Sequence, residues 1–186
     1  MTTSDRSGTA PLGALPALLR DEPGLTRALG DPSARLAVVE VARPISIAAL
    51  ATLSARRPLV VSCPTGTRAG QHAADLAQFP PPGEVAHFPG WETLPFERVS
   101  PSVETMGQRL DVLWRRRDPE RCPAVIVAGV RALLQKLGPG ATDIEPIIVR
   151  PATLGGAAID PDALGRQLVE FGYRREELVE HRGEFA

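Results

Sequence analysis

The sequence predicts an α/β fold with a parallel sheet, and two kinds of segment indicate it. Leu59–Ser62 and Ala124–Ala128 are almost wholly apolar, as strands are when a parallel sheet is covered on both faces. Amphipathic helical patterns lie between and after these runs, the clearest of them starting at Val103. Apolar strands that alternate with amphipathic helices are typical of parallel α/β sheets.

The other elements of this first domain follow from periodicity and from the positions of proline and glycine. Residues 1–10 are polar, and we expect them to be disordered. The remaining predicted elements are a helix over Leu12–Leu29 with a break at Pro23-Gly24, a strand over Ala34–Val41, helices over Ile45–Leu53, Thr67–Phe79 and Val130–Leu137, and a strand over Val85–Phe88.

Two helices have a definite expected core face. The helix at Val103 can be capped by Ser100, with Pro101 at its first position and Arg115–Arg117 at its cationic end. Its predicted core stripe is Val103, Met106, Leu110 and Leu113. The predicted buried face of the Thr67–Phe79 helix is Ala69, Ala73, Leu76 and Ala77.

A smaller second domain is predicted after Gly138-Pro139-Gly140, which interrupts the alternation. We divide the chain into a leading tail and helix (1–33), the parallel-sheet domain (34–140) and part of a small α+β domain (141–186). The predicted elements of the last of these parts are a strand over Ile144–Arg150, a helix from Asp160 to a stop at Gly172, and strands over Leu178–His181 and Glu184–Ala186. The predicted core residues of this helix are Leu164, Leu168 and Phe171. The last element reaches the final residue, so we expect this domain to be truncated.

The proline-rich stretch Phe88–Pro101 separates the second predicted strand from the longest helix. Its prolines exclude a regular helix or strand, but Phe88, Trp91, Leu94 and Phe96 are more apolar than a mobile loop requires. We therefore predict an ordered connection held on the core by its aromatic side chains. Glu92 and Glu97 fit a role in anchoring this loop better than a catalytic one.

Composition excludes several classes of function. The net charge is −1, so no overall basic field favours nucleic-acid binding. The two cysteines, Cys63 and Cys122, do not form a disulfide framework and indicate a reducing compartment. No run approaches the ~18 apolar residues of a membrane span, and the N-terminus lacks a secretion signal. We expect a cytoplasmic protein that does not bind membranes.

The segment Pro64–Gly70 lies where a phosphate-binding loop would lie, between a buried strand and a helix. When G-x-x-x-x-G-K-[ST] is placed on it, Cys63 and Arg68 replace the two glycines, Ala69 replaces the lysine and Gly70 replaces the hydroxyl residue. Gly66 lies inside the loop. A residual anion site that uses Arg68 is one interpretation; a turn that no longer binds nucleotide is the favoured one.

No other pattern supports catalysis or metal binding. His72, His87 and His181 lack ligand spacing with each other or with the cysteines. The Arg115–Arg117 cluster is read as a helix end rather than a phosphate contact. Arginines and aromatic residues of the second domain match the composition of binding hot spots, although Glu176, Glu177 and Glu180 make an ordinary charged surface an equal alternative.

The run Trp91–Glu97, then Ser100-Pro101 and Arg109-Leu110, resembles the N-terminal module of bacterial transcription-repair coupling factors (Mfd). Leu164–Leu168, Gly172–Arg174 and Arg182–Ala186 are similar to the same family in order and spacing. The resemblance covers residues 34–186. It implies a UvrB-like domain 1a with a degenerate P-loop NTPase-like fold and no nucleotide site, followed by part of domain 2.

The resemblance also implies a function. In that family this module is thought to recruit UvrA through domain 2, after an ATP- and magnesium-dependent C-terminal motor has removed stalled RNA polymerase from damaged DNA. RNA polymerase and DNA would then bind only to domains outside this sequence, and no cofactor would bind within it. The interface candidates that the resemblance supplies are Arg174, Arg175, Arg182, Glu184 and Phe185.

Two other functions remain open at this stage. The chain could be a nucleotide-dependent α/β enzyme with a divergent phosphate loop, which the missing lysine opposes. It could also act as an internal brake that packs on the C-terminal motor domains of the longer protein, alone or together with recruitment of UvrA.

Overall fold

A computed structural model describes residues 12–80, 83–93, 100–143, 145–149, 160–181 and 183–186. The chain divides after residue 144 into two compact units. None of the helices in the described ranges is long and apolar enough to cross a membrane. The predicted disorder of residues 1–10 lies outside the described residues.

The first unit alternates strands and helices over residues 59–134, as the sequence predicts for an α/β protein. The described helices are α1 (Leu15–Leu18), α2 (Pro23–Gly30), α3 (Arg43–Leu53), α4 (Gly66–Leu76), α5 (Val103–Arg116), α6 (Val130–Leu134) and α7 (Pro161–Glu170), with a 3₁₀ turn at Glu40–Ala42. The described strands are β1 (Leu59–Cys63), β2 (Val85–Phe88), β3 (Val125–Gly129), β4 (Arg174–Arg175) and β5 (Glu184–Phe185).

The first unit is built on a parallel sheet with the strand order β1-β3-β2. Val125 is in register with Leu59 on one side and with Val85 on the other. All five residues of the central strand β3 are buried, which confirms the predicted parallel α/β sheet. The edge strand β1 is less enclosed than its apolar sequence suggests, because Val60 is 53% exposed.

Helices cover both faces of this sheet, and the alternation of side chains along β3 separates two core clusters. Val125 and Val127 pack with buried residues of α3 and α4, such as Ala48 and Leu76. Ile126 and Ala128 pack on the other side with buried residues of β2, α5 and α6: Ala86, Phe88, Val112, Leu113 and Ala132. The core of the first unit therefore lies in two layers around one central strand.

The predicted strand over Ala34–Val41 is wrong. Residues 34–39 pair with no strand, and the chain then enters the 3₁₀ turn that precedes α3. Val39 and Val41 are strongly exposed, so their side chains gain nothing from the packing that gives β-branched residues their preference for strands. The helix that follows is confirmed, with Pro44 in its first turn.

The predicted core face of α5 is rotated from the observed one. Ser102 rather than Ser100 caps the helix, and its buried residues are Thr105, Arg109, Val112 and Leu113. Only Leu113 belongs to the predicted stripe. Thr105 and Arg109 are buried instead because they form hydrogen bonds with Glu92 and Pro89 of the preceding loop. Elsewhere, Ala77 is exposed instead of buried, and α6 ends at Leu134 instead of residue 137.

The second unit contains α7 and a two-stranded parallel sheet of β4 and β5. Asp160 caps α7, and Gly172 ends the following turn with a φ of +89°, as predicted. The strand over 144–150 is wrong for the described residues 145–149. Leu178–His181 is not a strand either, and β4 was not predicted. Phe171 is half exposed, not part of a core.

Candidate functional site

The turn between β1 and α4 is short. Only Pro64 and Thr65 separate Cys63 from Gly66. Pro64 has no amide donor, and the Oγ1 of Thr65 accepts the amide hydrogen of Arg68 at 3.2 Å as the helix cap. A phosphate loop needs several free backbone amides that point inward, and here the cap already uses one of them.

The end of the central strand closes over the same turn. A Cβ atom placed on Gly129 would lie 3.0 Å from the backbone nitrogen of Gly66 and 3.2 Å from its Cα. Because β3 has glycine at this position, its backbone and that of the turn lie close together. A Cβ atom on Gly66 itself would meet nothing within 4 Å, so the space that its side chain would occupy is open.

Arg68 forms an exposed ion pair with a carboxylate. Its Nη1 lies 3.1 Å from Oε1 of Glu40. The open cleft beside it, with a volume of about 370 Å³, is also lined by Asp75 and His72. Burial raises the pKa of the Cys63 thiol, and the charge of Arg68 offsets part of this rise. These groups favour a structural turn over an anion site.

The start of the proline-rich connection is held by a buried arginine. The guanidinium of Arg109 lies between two aromatic rings, 4.2 Å from the centroid of Phe88 and 4.4 Å from that of Trp91. Its Nη1 donates to the carbonyl oxygen of Pro89 at 2.6 Å. Arg109 is only 1% exposed, and burial lowers its pKa. This arrangement confirms the predicted aromatic anchor for Phe88 and Trp91; Leu94 and Phe96 lie outside the described residues.

A carboxylate and an amide side chain complete this anchor. Glu92 accepts hydrogen bonds from the amide and hydroxyl of Ser102, both at 2.9 Å, and from the hydroxyl of Thr105 at 2.6 Å. These bonds, with that from Thr105 first, lower the pKa of Glu92. Gln135 bonds to both the amide and the carbonyl of Trp91. Glu92 thus anchors the loop as predicted; Glu97 lies outside the described residues.

In the second unit, the structure brings four of the five predicted interface residues together. The β4–β5 register pairs Arg174 with Glu184 and Arg175 with Phe185. Since neighbouring residues in a strand point to opposite faces, the two pairs lie on opposite faces of this small sheet. The fifth candidate, Arg182, lies outside the described residues.

One face of this sheet borders an open groove of about 430 Å³. Arg175 and Phe185 line it from the strands, and the ring of Phe185 lies against α7, where a Cβ on Gly165 would be 3.5 Å from Cε2 of the ring. The helix contributes Asp162, Gly165, Arg166, Val169 and Glu170. The sequence analysis does not identify these groove-lining residues of α7, although they recur every three or four residues. It assigns the core to the apolar stripe on the opposite face of the helix, Leu164, Leu168 and Phe171.

On the opposite face, Glu184 stabilises its own turn. Its Oε2 accepts the amide hydrogens of Glu180 at 3.0 Å and His181 at 2.8 Å. These two bonds, aided by the charge of Arg174, lower the pKa of Glu184. Glu184 therefore positions β5 beside β4, whereas Arg175 and Phe185 are the predicted residues that line the groove.

The fold and the site define a parallel α/β domain with a two-residue, capped turn between β1 and α4, followed in sequence by a small unit that presents an arginine and an aromatic ring beside a groove. No protein-family model matches the chain. Several known proteins are similar to it in sequence.

The chain is similar to proteins named transcription-repair-coupling factor from three bacterial sources. It is 35% identical over 167 residues to that of Mycobacterium bovis, which covers 87% of this chain and 13% of the relative. It is 34% identical over 139 residues to that of Myxococcus xanthus, which covers 70% of this chain and 11% of the relative. It is 30% identical over 129 residues to that of Escherichia coli, which covers 69% of this chain and 11% of the relative.

The chain belongs to the transcription-repair coupling factor family, as the sequence motifs indicate. It spans about 13% of the length of the first of these relatives.

Proposed function

We propose that this chain is a docking segment without catalytic activity of its own, which recruits UvrA during transcription-coupled repair. Removal of stalled RNA polymerase, with ATP and magnesium, is assigned to other parts of the longer protein, as is DNA binding. The chain itself would bind no cofactor and would act in the cytoplasm. UvrB-like folding of both units is part of the same proposal.

The observation that carries this proposal is the pairing of Arg175 with Phe185 beside the groove of the second unit. Arginine and aromatic side chains supply most hot spots in protein interfaces. Arg175 is exposed and Phe185 is partly exposed, so both present some of their surface to a partner. The short, capped turn at Gly66 supports the absence of nucleotide chemistry, since Arg68 is paired with Glu40.

The test is the affinity of the chain for purified UvrA, measured by isothermal titration. We expect Phe185→Ala and Arg175→Ala each to weaken binding at least about 30-fold, which corresponds to the ~2 kcal/mol of a hot-spot residue. Leu178→Ala is the matched control, because Leu178 is an exposed apolar residue of the same unit that does not line the groove. Unchanged affinity in both groove variants would contradict the proposed interface.

A further inference from the structure

The short helix α6 in the first unit exposes an apolar surface that neither the turn at Gly66 nor the groove explains. Val130, Leu133 and Leu134 lie on α6 at i, i+3 and i+4, and Leu137 follows three residues after the helix ends; they are 43%, 46%, 78% and 43% exposed. Single exposed leucines are ordinary, whereas a contiguous apolar patch marks an interaction site. We call these four residues the α6 patch.

The backbone beneath the α6 patch is fixed. Ala132, on the inner side of α6, is 2% exposed and belongs to the core cluster around Phe88. Gln135 follows the helix, and its side chain bonds to the amide of Trp91 at 2.7 Å and to the carbonyl of Trp91 at 3.4 Å. Trp91 in turn stacks on Arg109. The patch is therefore a preorganised surface, which lowers the ordering cost of binding.

The sequence segment that contains the α6 patch carries charges of one sign. Between Glu120 and Asp143 the sequence contains Arg121, Arg131 and Lys136 but no carboxylate. Arg131 and Lys136 flank the exposed leucines, and neither forms an ion pair within the described part of the chain. Arg121, by contrast, pairs with Asp118 at 2.8 Å and stacks on Trp114.

We propose that the α6 patch docks an acidic amphipathic helix of a partner protein. Apolar side chains of such a helix would cover Val130, Leu133, Leu134 and Leu137, and its flanking carboxylates would meet Arg131 and Lys136. A second copy of this chain fits less well. A two-fold interface places the same patch on both sides. Arg131 and Lys136 of one copy would then face Arg131 and Lys136 of the other, and like charges repel.

Two synthetic peptides of about 18 residues, or five helical turns, test this proposal. Both carry the same leucine face, and they differ only in flanking glutamates or lysines. We expect the glutamate peptide to bind at least about 10-fold more tightly by fluorescence anisotropy, since each 1.4 kcal/mol is tenfold. It should shift the amide NMR signals of residues 130–137. No binding of the glutamate peptide, or equal binding of both, would overturn the proposal.

Matched variants separate this surface from others. Leu134→Lys should weaken the glutamate peptide at least about 10-fold, as expected for losing one buried leucine, without changing the melting temperature, because its side chain is mostly exposed. The control Val41→Lys alters an exposed apolar residue elsewhere and should bind normally. Arg131→Glu combined with Lys136→Glu should reverse the preference toward the lysine peptide. An unaltered preference would contradict the charge argument.

Two further measurements define the occupant. Concentration-dependent self-association that Leu134→Lys abolishes would show that copies of the chain cover the patch instead, and would overturn the proposal. Leu134→Lys should leave UvrA affinity unchanged, and Phe185→Ala should leave peptide affinity unchanged. Each proposal can therefore fail without the other.

Discussion

The unit before residue 145 and the unit after it use their apolar residues in opposite ways. In the first, β3 is buried along its whole length and helices cover both faces of its sheet. In the second, no side chain of the described residues is fully buried, and several large apolar side chains are exposed: Val169, Phe171, Tyr173, Leu178 and Val179. Both units nevertheless have capped helices of similar length.

This difference separates stability from recognition. Burial of apolar surface is the main favourable contribution to folding, so we assign the cooperative stability of the chain to the first unit. The second unit keeps an arginine, an aromatic ring and apolar side chains accessible, which suits a surface that a partner completes. The following changes test this contrast, from the largest expected effect to the smallest.

Arg109→Ala should lower the free energy of unfolding of the first unit by about 3 kcal/mol, as large-to-small changes in a core do. The change leaves a cavity between Phe88 and Trp91 and removes the donor to the carbonyl of Pro89. Urea denaturation followed by tryptophan fluorescence measures this loss.

Arg109→Met is the matched variant, because it fills the space without a charge. The Nε and Nη2 atoms of Arg109 have no hydrogen-bond partner in the described residues, and a buried charge without partners is costly. We expect Met to cost about 1 kcal/mol or less. Equal losses for Ala and Met would show that charge, and not packing, holds this corner.

Removing one helix cap in each unit compares the two units directly. Thr65→Ala removes the cap of α4, and Asp160→Ala removes that of α7. Loss of a cap costs about 1 kcal/mol where the helix contributes to the cooperative fold. We expect Thr65→Ala to lower the main thermal transition by ~2–4 °C.

We expect Asp160→Ala to leave the main transition unchanged and to increase amide hydrogen exchange only within α7. An equal shift of the main transition by the two variants would mean that the units unfold as one, which would contradict the contrast drawn here.

Glu92→Gln should destabilise the chain at neutral pH, and the difference from the unmodified protein should fade in acid. The folded-state pKa of Glu92 is lowered, so its contribution is present above the unfolded value of about 4.3 and is lost as the pH falls through the folded pKa. Thermal melts across this range measure it. As a control, Glu104→Gln removes an equal charge from the first turn of α5. Identical pH profiles for the two variants would argue against a contribution from the hydrogen bonds of Glu92 to Ser102 and Thr105.

Much of the first unit could be predicted from the sequence because two of its strand segments are almost wholly apolar and its helices are amphipathic. Leu59–Cys63 and Val125–Gly129 form strands in a parallel sheet as their composition predicts. The face of α5 could not be predicted, since Arg109 is buried through two rings and a carbonyl that lie up to 21 residues earlier in the sequence. Ala34–Val41 shows the converse case: strand-forming residues without a neighbouring strand form none.

The site was partly predictable for similar reasons. The sequence shows alanine at position 69, where a phosphate-binding loop has lysine. It does not show that only two residues separate β1 from α4. Arg175 and Phe185 were named from a resemblance, but their pairing across β4 and β5 depends on a strand that is two residues long and has no periodicity to detect. The role of Glu184 in closing its own turn depends on contacts that no local pattern indicates.

The most direct test of the account is the melting temperature of the chain with and without magnesium ATP. A ligand at 100 times its dissociation constant stabilises a protein by about 2.7 kcal/mol, which is roughly 5–10 °C for a chain of this size. We predict no shift at millimolar ATP, because we propose that the short, capped turn at Gly66 does not bind phosphate. A shift that corresponds to micromolar affinity and is lost in Arg68→Ala would contradict a docking segment and require an enzyme.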